Sequence, residues 1–336
     1  MKILVTGSAG FIGHQVALCL LGSGHTVFGL DNLCPYYDVA LKRDRLASLM
    51  PHSAFSFFEQ DIADVAAVAR LFESYRPDAV IHLAAQAGVR YSLENPETYI
   101  QANLVGFSGI LEACRRYPVT HLVYASSSSV YGLNTKLPFA ETDRVDHPAS
   151  LYAATKRSNE LMAHAYSHLF AIPVTGLRFF TVYGPWGRPD MAPFLFTRSI
   201  LEGKPIRIFN NGQMQRDFTY IDDIVAGVCN VLTHIPGPDE RWSGGASLPN
   251  TSSAPYRLFN IGNNQSVELE TFITVLEDAL GKKAVREYLP MQPGDVLATY
   301  ADIDALQTAV GFAPKVSIEV GVPCFVVWYK QYYGEK

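Results

Sequence analysis

Through residue 180 the chain alternates short apolar runs with longer stretches in which apolar positions return every three to four residues. The runs predict strands over residues 2–6, 26–31, 56–60, 79–83, 121–125 and 173–178. The longer stretches predict helices over 10–23, 65–75, 96–116 and 150–170. Strands buried on both faces read as continuous apolar runs, and Ile3-Leu4-Val5 is such a run. This alternation argues for an α/β fold with a Rossmann-type, doubly wound parallel sheet.

Beyond Phe180 the texture changes. Pro185, Pro189 and Pro193 stand among glycines, and long helices become rare in the pattern. One helix over 222–233 is expected to return to the first domain, followed by a strand over 258–261. Residues 236–256, rich in Pro, Gly and Ser, read as a mobile surface loop. Helices over 268–280 and 302–310 are assigned to a smaller α/β, substrate-binding lobe. The larger domain is then 1–180 with about 222–262, and the smaller lobe is 181–221 with 263–336.

Composition excludes several roles. Hydrophobic residues make up 48% and charged residues 18%, enough for a substantial core in a soluble protein. A net charge of -5 leaves no general basic field for nucleic acid. The five cysteines have no paired metal spacing, so no metal is expected, and they read as reduced and mostly interior. No apolar run approaches the ~20 residues of a membrane helix. The first strand begins at Lys2 or Ile3, leaving no room for a signal peptide, so the expected location is the cytoplasm.

The first strand runs directly into Gly7-Ser8-Ala9-Gly10-Phe11-Ile12-Gly13, which opens the first helix. Glycines there permit a tight turn and close approach of backbone N–H groups to a pyrophosphate. Asp31 ends the second strand, 18 residues beyond Gly13, where a carboxylate accepts hydrogen bonds from adenosine ribose hydroxyls and repels a 2′-phosphate. NAD is therefore expected over NADP. Lys42, Arg43 and Arg45 read as a solvated helix face.

Tyr152 and Lys156 lie four apart on a predicted helix, so phenol and ammonium share one face. A fixed positive charge and a bound nicotinamide cation would favour the phenolate, making Tyr152 a general acid or base. Ser126, Ser127, Ser128 and Ser129 follow the fifth strand, on the carboxyl edge where an open parallel sheet binds ligands.

Glycine turn, ribose carboxylate, serine run and Tyr/Lys pair, in that order, resemble the extended short-chain dehydrogenase/reductase family, and UDP-hexose 4-epimerases in particular. Asp31-Asn32-Leu33, Asp61-Ile62, His82-Leu83-Ala84-Ala85-Gln86, Asn103 and Arg216-Asp217-Phe218-Thr219-Tyr220-Ile221 carry the resemblance further. It implies that Ser127 hydrogen-bonds the reacting sugar oxygen, that Tyr152 moves its proton, and that Lys156 tunes Tyr152 and holds the nicotinamide ribose. It also implies a cofactor channel in which Asp61 and Ile62 lie near adenine, with Asn32 and Asn103 nearby and Leu83, Ala84, Ala85 and Gln86 along the wall. The two helices over 96–116 and 150–170 commonly form a dimer interface in this family, so a homodimer is expected.

Residues 178–191 look like the corresponding run of UDP-glucuronate 4-epimerases, with Thr181 where many hexose epimerases carry Asn. A sugar carboxylate needs donors, and Ser128, Ser129, Thr181 and Arg188 are the candidates, with Arg90 behind them. Decarboxylases and dehydratases of the family carry an acid before Val130-Tyr131-Gly132; here Ser129 stands there. By resemblance Arg216 grips the diphosphate, Asp295 holds a ribose hydroxyl and Phe209 lies near uracil. Gln292 replaces the basic residue of some relatives, a loss for which Arg286 could compensate. The expected activity is NAD-dependent 4-epimerisation of UDP-glucuronate to UDP-galacturonate. The rivals are a UDP-glucose or UDP-N-acetylglucosamine 4-epimerase, a UDP-glucuronate decarboxylase, and a non-catalytic NAD-binding regulator, which would often have lost Tyr or Lys.

Overall fold

The computed structural model describes residues 1–334 except Ala246 and Pro293. Its strands are β1 (Lys2–Thr6), β2 (Thr26–Asp31), β3 (Phe55–Glu59), β4 (Ala79–His82), β5 (His121–Ser127), β6 (Val174–Phe179), β7 (Thr181–Tyr183), β8 (Pro205–Ile208), β9 (Gln215–Tyr220), β10 (Tyr256–Ile261), β11 (Ser266–Glu268) and β12 (Val285–Tyr288). Seven of them form one parallel sheet in the order β10-β6-β5-β4-β1-β2-β3. The order reverses between β1 and β4, which opens a crevice at the carboxyl ends of the strands.

The helices are α1 (Phe11–Gly22), α2 (Val39–Leu49), α3 (Val65–Tyr75), α4 (Tyr91–Glu94), α5 (Pro96–Tyr99), α6 (Phe107–Arg116), α7 (Leu151–Phe170), α8 (Ala192–Glu202), α9 (Ile221–Thr233), α10 (Leu269–Leu280), α11 (Asp304–Val310) and α12 (Ile318–Tyr333). Alternate residues of β1 serve opposite faces of the sheet. Ile3 and Val5 join one core with α1 and α9, whereas Leu4 joins the other with α3 and α6. Each fully buried aliphatic side chain of this kind contributes roughly 1.5–3 kcal/mol. Side-chain caps start three of the helices: Asp38 on Ala40, Asp64 on Ala67 and Ser150 on Ala153.

Several expectations are corrected. The helix expected over 96–116 is broken: α5 passes through a wide π turn (Ile100–Gly106) into α6. Long helices are not rare beyond Phe180, since α8, α9, α10 and α12 span 11, 13, 12 and 16 residues. The basic segment after β2 is the helix α2, and it is no solvated face: Lys42 and Arg45 are buried and only Arg43 is exposed. Of the cysteines only Cys114 is buried, Cys324 is exposed, and Cys19 of α1 meets Cys229 of α9 at 3.2 Å.

The core also holds titratable groups that set an acid limit. Burial lowers His14 to about 3, aided by the Arg45 charge, lowers His82 to about 3, aided by Lys156, and lowers His121 to about 4. Burial raises Glu141 to about 7 and Asp217 to about 6. The histidines contribute stability that is present above their ordinary value near 6.5 and lost as pH falls toward 4. The two carboxyls act oppositely, their contribution being full below about 4 and lost as pH rises through 6 to 7. Three sites outweigh two, so acidification from pH 7 to 5 is predicted to cost roughly 1–2 kcal/mol per pH unit. Urea unfolding at both pH values checks this, and equal or greater stability at pH 5 would contradict neutral histidines in the core.

Candidate active site

At the carboxyl ends of β1, β4 and β5 lies one continuous cleft of about 1670 Å³. Pockets for one small molecule hold roughly 300–1,000 Å³, so this cleft has room for two ligands end to end. It runs from the glycine turn, past Tyr152 and Lys156, to Phe209, Arg216 and Asp295.

At the first end, the glycines answer to the turn's own packing. A Cβ on Gly7 would lie 2.8 Å from the Ala84 nitrogen, and one on Gly13 would lie 2.1 Å from the Gly7 carbonyl oxygen. Gly7 also has φ +73°, a left-handed backbone. The turn therefore lies tight against the segment after β4 and presents Gly10, Phe11, Ile12 and Gly13 to the cleft. N–H groups of a first helical turn lack intrahelical partners, which suits them to phosphate. Asp31, Asn32, Asp61, Ile62, Leu83, Ala84, Ala85 and Gln86 line the same end. The residues present thus fit a dinucleotide.

Two expected cofactor residues sit behind this wall. Ala9 is fully buried, and its N–H donates to Asp31 Oδ2 at 3.1 Å. Asn103, inside the π turn, accepts from the Gln86 N–H at 2.9 Å and donates to the Gln86 carbonyl and to Thr155 Oγ1, both at 3.0 Å. It braces the wall from below. Asp31 has a second duty, accepting from Leu33 N–H at 2.9 Å, and Lys42 Nζ stands 3.9 Å from its Oδ1.

At the middle, Ser150 starts α7 and places Tyr152, Lys156 and Glu160 on one helical face. Tyr152 packs edge-on against Tyr99, with ring centroids 6.0 Å apart. Burial raises its phenol above the usual value, while Ser127 and the Arg188 charge pull it back. Burial lowers Lys156 to about 8. Its ammonium donates to the Ala125 carbonyl at 2.9 Å, and the Arg188 charge also acts on Tyr152.

Beneath this face is a buried ionic network. Glu160 binds Arg178 at 2.8 and 3.0 Å, Arg157 at 3.0 Å and the Ser126 hydroxyl at 2.6 Å. Arg178 also donates to Tyr131 Oη, which donates to Asn260. The network joins α7 to β5, β6 and β10.

Ser128, Ser129, Thr181 and Arg188 line the cleft beyond Tyr152. Arg188 is already engaged by Asp190, at 3.0 Å through Nε and 2.5 Å through Nη2, and Tyr36 donates to the same carboxylate. At the far end, Arg90 lies over the Phe209 ring and pairs with Asp295 at 3.2 Å. Arg216 donates to the carbonyls of Gln215 and Leu297. Gln292 lines the cleft, whereas Arg286 is held by Glu270 and Glu277 and does not reach it. Between Gln292 and Asp295, Pro293 lies outside the described residues.

Arg198, Lys204 and Arg207 also line this end, and sequence reasoning missed them. They come from α8, the turn after it and β8, with no spacing that announces them. Tyr36 and Asp190 were missed as well, because their meeting across 154 residues is a matter of tertiary fold.

Residues 3–242 match the NAD dependent epimerase/dehydratase family. Protein CapI of Staphylococcus aureus is 52% identical over 99% of both chains. UDP-glucuronate 4-epimerase 1 of Arabidopsis thaliana is 48% identical over 99% of this chain and 78% of that protein. Among solved structures, UDP-glucuronic acid 4-epimerase from Bacillus cereus, in complex with UDP-glucuronic acid and NAD, superposes with a TM-score of 0.88. It is 35% identical, covering 99% of this chain and all of that one. With a family match across most of its length and the glycine turn, Tyr152 and Lys156 on one cleft, the chain belongs to the NAD dependent epimerase/dehydratase family.

Proposed function

We propose that the chain interconverts UDP-glucuronate and UDP-galacturonate by 4-epimerisation. The observation that carries this reading is the hydroxyl-lined stretch of cleft beside Tyr152, formed by Ser127, Ser128, Ser129 and Thr181. Hydroxyls hold a sugar carboxylate as an anion. Asp190, an acid of the same cleft, is tied to Arg188 and is not free to donate a proton.

The glycine turn, Asp31, Asp61 and the 83–86 wall would hold NAD, with Lys156 toward the nicotinamide ribose. Bound there, NAD supplies a hydride acceptor and donor within one turnover, so no net oxidation results. Ser127 orients the sugar 4-hydroxyl and Tyr152 takes its proton, then returns it once the 4-keto sugar has turned to present its other face. Arg188 opposes the burial of the phenol and steadies its negative form. Ser128, Ser129 and Thr181 carry a second task. The 4-keto uronate is a β-keto acid and prone to lose carbon dioxide, so its carboxylate must be held with the breaking bond out of line with the ketone. Arg90, Arg198, Lys204, Arg207 and Arg216 form a basic end suited to the diphosphate, with Asp295 for a ribose hydroxyl and Phe209 for uracil.

The larger domain, 1–180 with about 222–262, is assigned to NAD and the remainder to the sugar nucleotide. A homodimer through the segments 96–116 and 150–170 is part of the proposal, and the exposed Ile100, Leu161, Leu169 and Phe170 on them support it. The expected setting is the cytoplasm, with the product consumed in polysaccharide synthesis.

Incubation of the protein with UDP-glucuronate and no added reductant, followed by proton NMR, tests the reading. UDP-galacturonate should grow to a stable mixture. Formation of a UDP-pentose or its 4-keto form would replace the reading with decarboxylation. Turnover of UDP-glucose alone would replace it with hexose epimerisation.

A further inference from the structure

Arg45 is fully buried in α2 and lines no part of the cleft. Its guanidinium donates to four neutral oxygens: the Ala9 carbonyl at 3.0 Å, the Tyr37 hydroxyl at 2.7 Å, the Trp186 carbonyl at 2.6 Å and the Gly187 carbonyl at 3.1 Å. Nε has no partner. No carboxylate among the described residues pairs with it, which is a costly way to bury a cation and calls for a reason.

The acceptors supply one. Ala9 belongs to the glycine turn, and its peptide link to Gly10 is pinned on both sides, the carbonyl by Arg45 and the Gly10 N–H by the Gly7 carbonyl at 2.9 Å. Trp186 and Gly187 directly precede Arg188, whose guanidinium faces the sugar end. These partners are 36, 141 and 142 residues away from Arg45 in sequence. The His14 ring also meets Trp186 edge-on at 5.7 Å, so the start of α1 and the sugar loop face each other across this guanidinium.

We infer that Arg45 is a positioning residue that clamps the dinucleotide turn to the sugar loop, so that both ligands depend on a side chain that touches neither. The inference rests on the proposed function only for its turnover readout. Arg45→Lys keeps the charge but cannot span four acceptors in a planar fork, and Arg45→Met removes both charge and donors. Val68→Ala, on the buried face of α3 and not itself part of the cleft wall, serves as a control that loosens the fold without touching either loop.

The holoenzymes are compared for loss of NAD after dilution, for binding of UDP, and for kcat and KM with UDP-glucuronate. Expected for Arg45→Lys is about tenfold faster NAD loss, with kcat down by a similar factor. UDP binding is expected to change little, since UDP sits at the basic end. Val68→Ala should lower the melting temperature and leave NAD loss and kcat as in the wild type. If both Arg45 variants melt lower but keep wild-type NAD loss and kcat, the clamp is overturned and Arg45 serves only the fold. A change in NAD loss without a change in kcat, or the reverse, overturns it too, because a clamp acts on both sides. Should Arg45→Met fail to fold, Arg45→Lys alone decides. Should the wild type leave UDP-glucuronate untouched, the functional reading falls, and kcat is then taken with whichever UDP-sugar turns over while NAD loss stands unaltered.

Discussion

Tyr152→Phe is expected to lower kcat for UDP-glucuronate by about 10²–10⁴-fold, the range that a positioned general acid or base contributes. The substitution removes the oxygen that moves the proton and leaves the ring. Phe keeps the edge-on packing against Tyr99, so α7 and the cleft wall should hold their shape. NAD content and KM should change little, because neither the glycine turn nor the basic end depends on the phenol. The loss therefore belongs to the chemical step, and NMR time courses at matched protein concentration read it directly. A rate within tenfold of the wild type would remove Tyr152 from proton transfer, and Ser127 would become the next residue to test.

Glu160→Gln should be the most damaging single change away from the cleft. Glu160 and Arg178 are both fully buried, and their two contacts of 2.8 and 3.0 Å form a fork of charge-assisted hydrogen bonds. Neutralising one partner leaves Arg178 as a buried charge without compensation, a loss of roughly 3–5 kcal/mol. Arg157, partly exposed, is itself a cation and offers Arg178 no compensation. Urea unfolding measures the effect. The double change Glu160→Leu with Arg178→Met should lose less than the two single changes summed, since replacing both charges together removes the stranded one. A cost below about 1 kcal/mol for Glu160→Gln would mean that water reaches Arg178 and that the network does not anchor α7. Activity should fall as well, because Glu160 holds the Ser126 hydroxyl one residue before Ser127.

Most of the parallel sheet could be read from the chain because its strands are buried on both faces and carry little but apolar residues, as in Ile3-Leu4-Val5 and Ala79-Val80-Ile81. The strands of the smaller lobe could not. β9 reads Gln-Arg-Asp-Phe-Thr-Tyr, and its buried Asp217 is satisfied by N–H groups of Asn263 and Ala301 that lie far off in sequence. The burial of α2, though not its helical form, escaped for a related reason. Periodicity assumes that Lys and Arg face water, and Lys42 and Arg45 turn inward toward tertiary partners instead. α12 carries Pro323 in its interior, which ordinarily ends a helix.

The chemistry of the cleft was more legible than its supports. The glycine turn, Asp31, the serines and the Tyr152/Lys156 pair are local patterns whose spacing fixes their geometry. Arg188 lines the cleft, but its hold by Asp190 and Tyr36 depends on loops brought together by the fold. Asn103 looked like a cofactor contact and proves to be a brace, because a polar side chain in a helix does not reveal which side of a wall it supports.

The covering of Trp186 by α12 has a consequence for the order of synthesis. Trp328 and Tyr332 pack on Trp186 at 5.4 and 5.3 Å, and the Tyr332 hydroxyl donates to Asp44 of α2, although none of the described residues of α12 lines the cleft. On the ribosome the glycine turn emerges first and must wait for residues 318–333 before the loop ahead of Arg188 gains its lid of aromatic rings. At about 5–20 residues per second that interval is roughly 15–60 s. A nascent chain halted before α12 would then carry every described residue of the cleft wall and still present the loop ahead of Arg188 uncovered, as a substrate for proteases and chaperones.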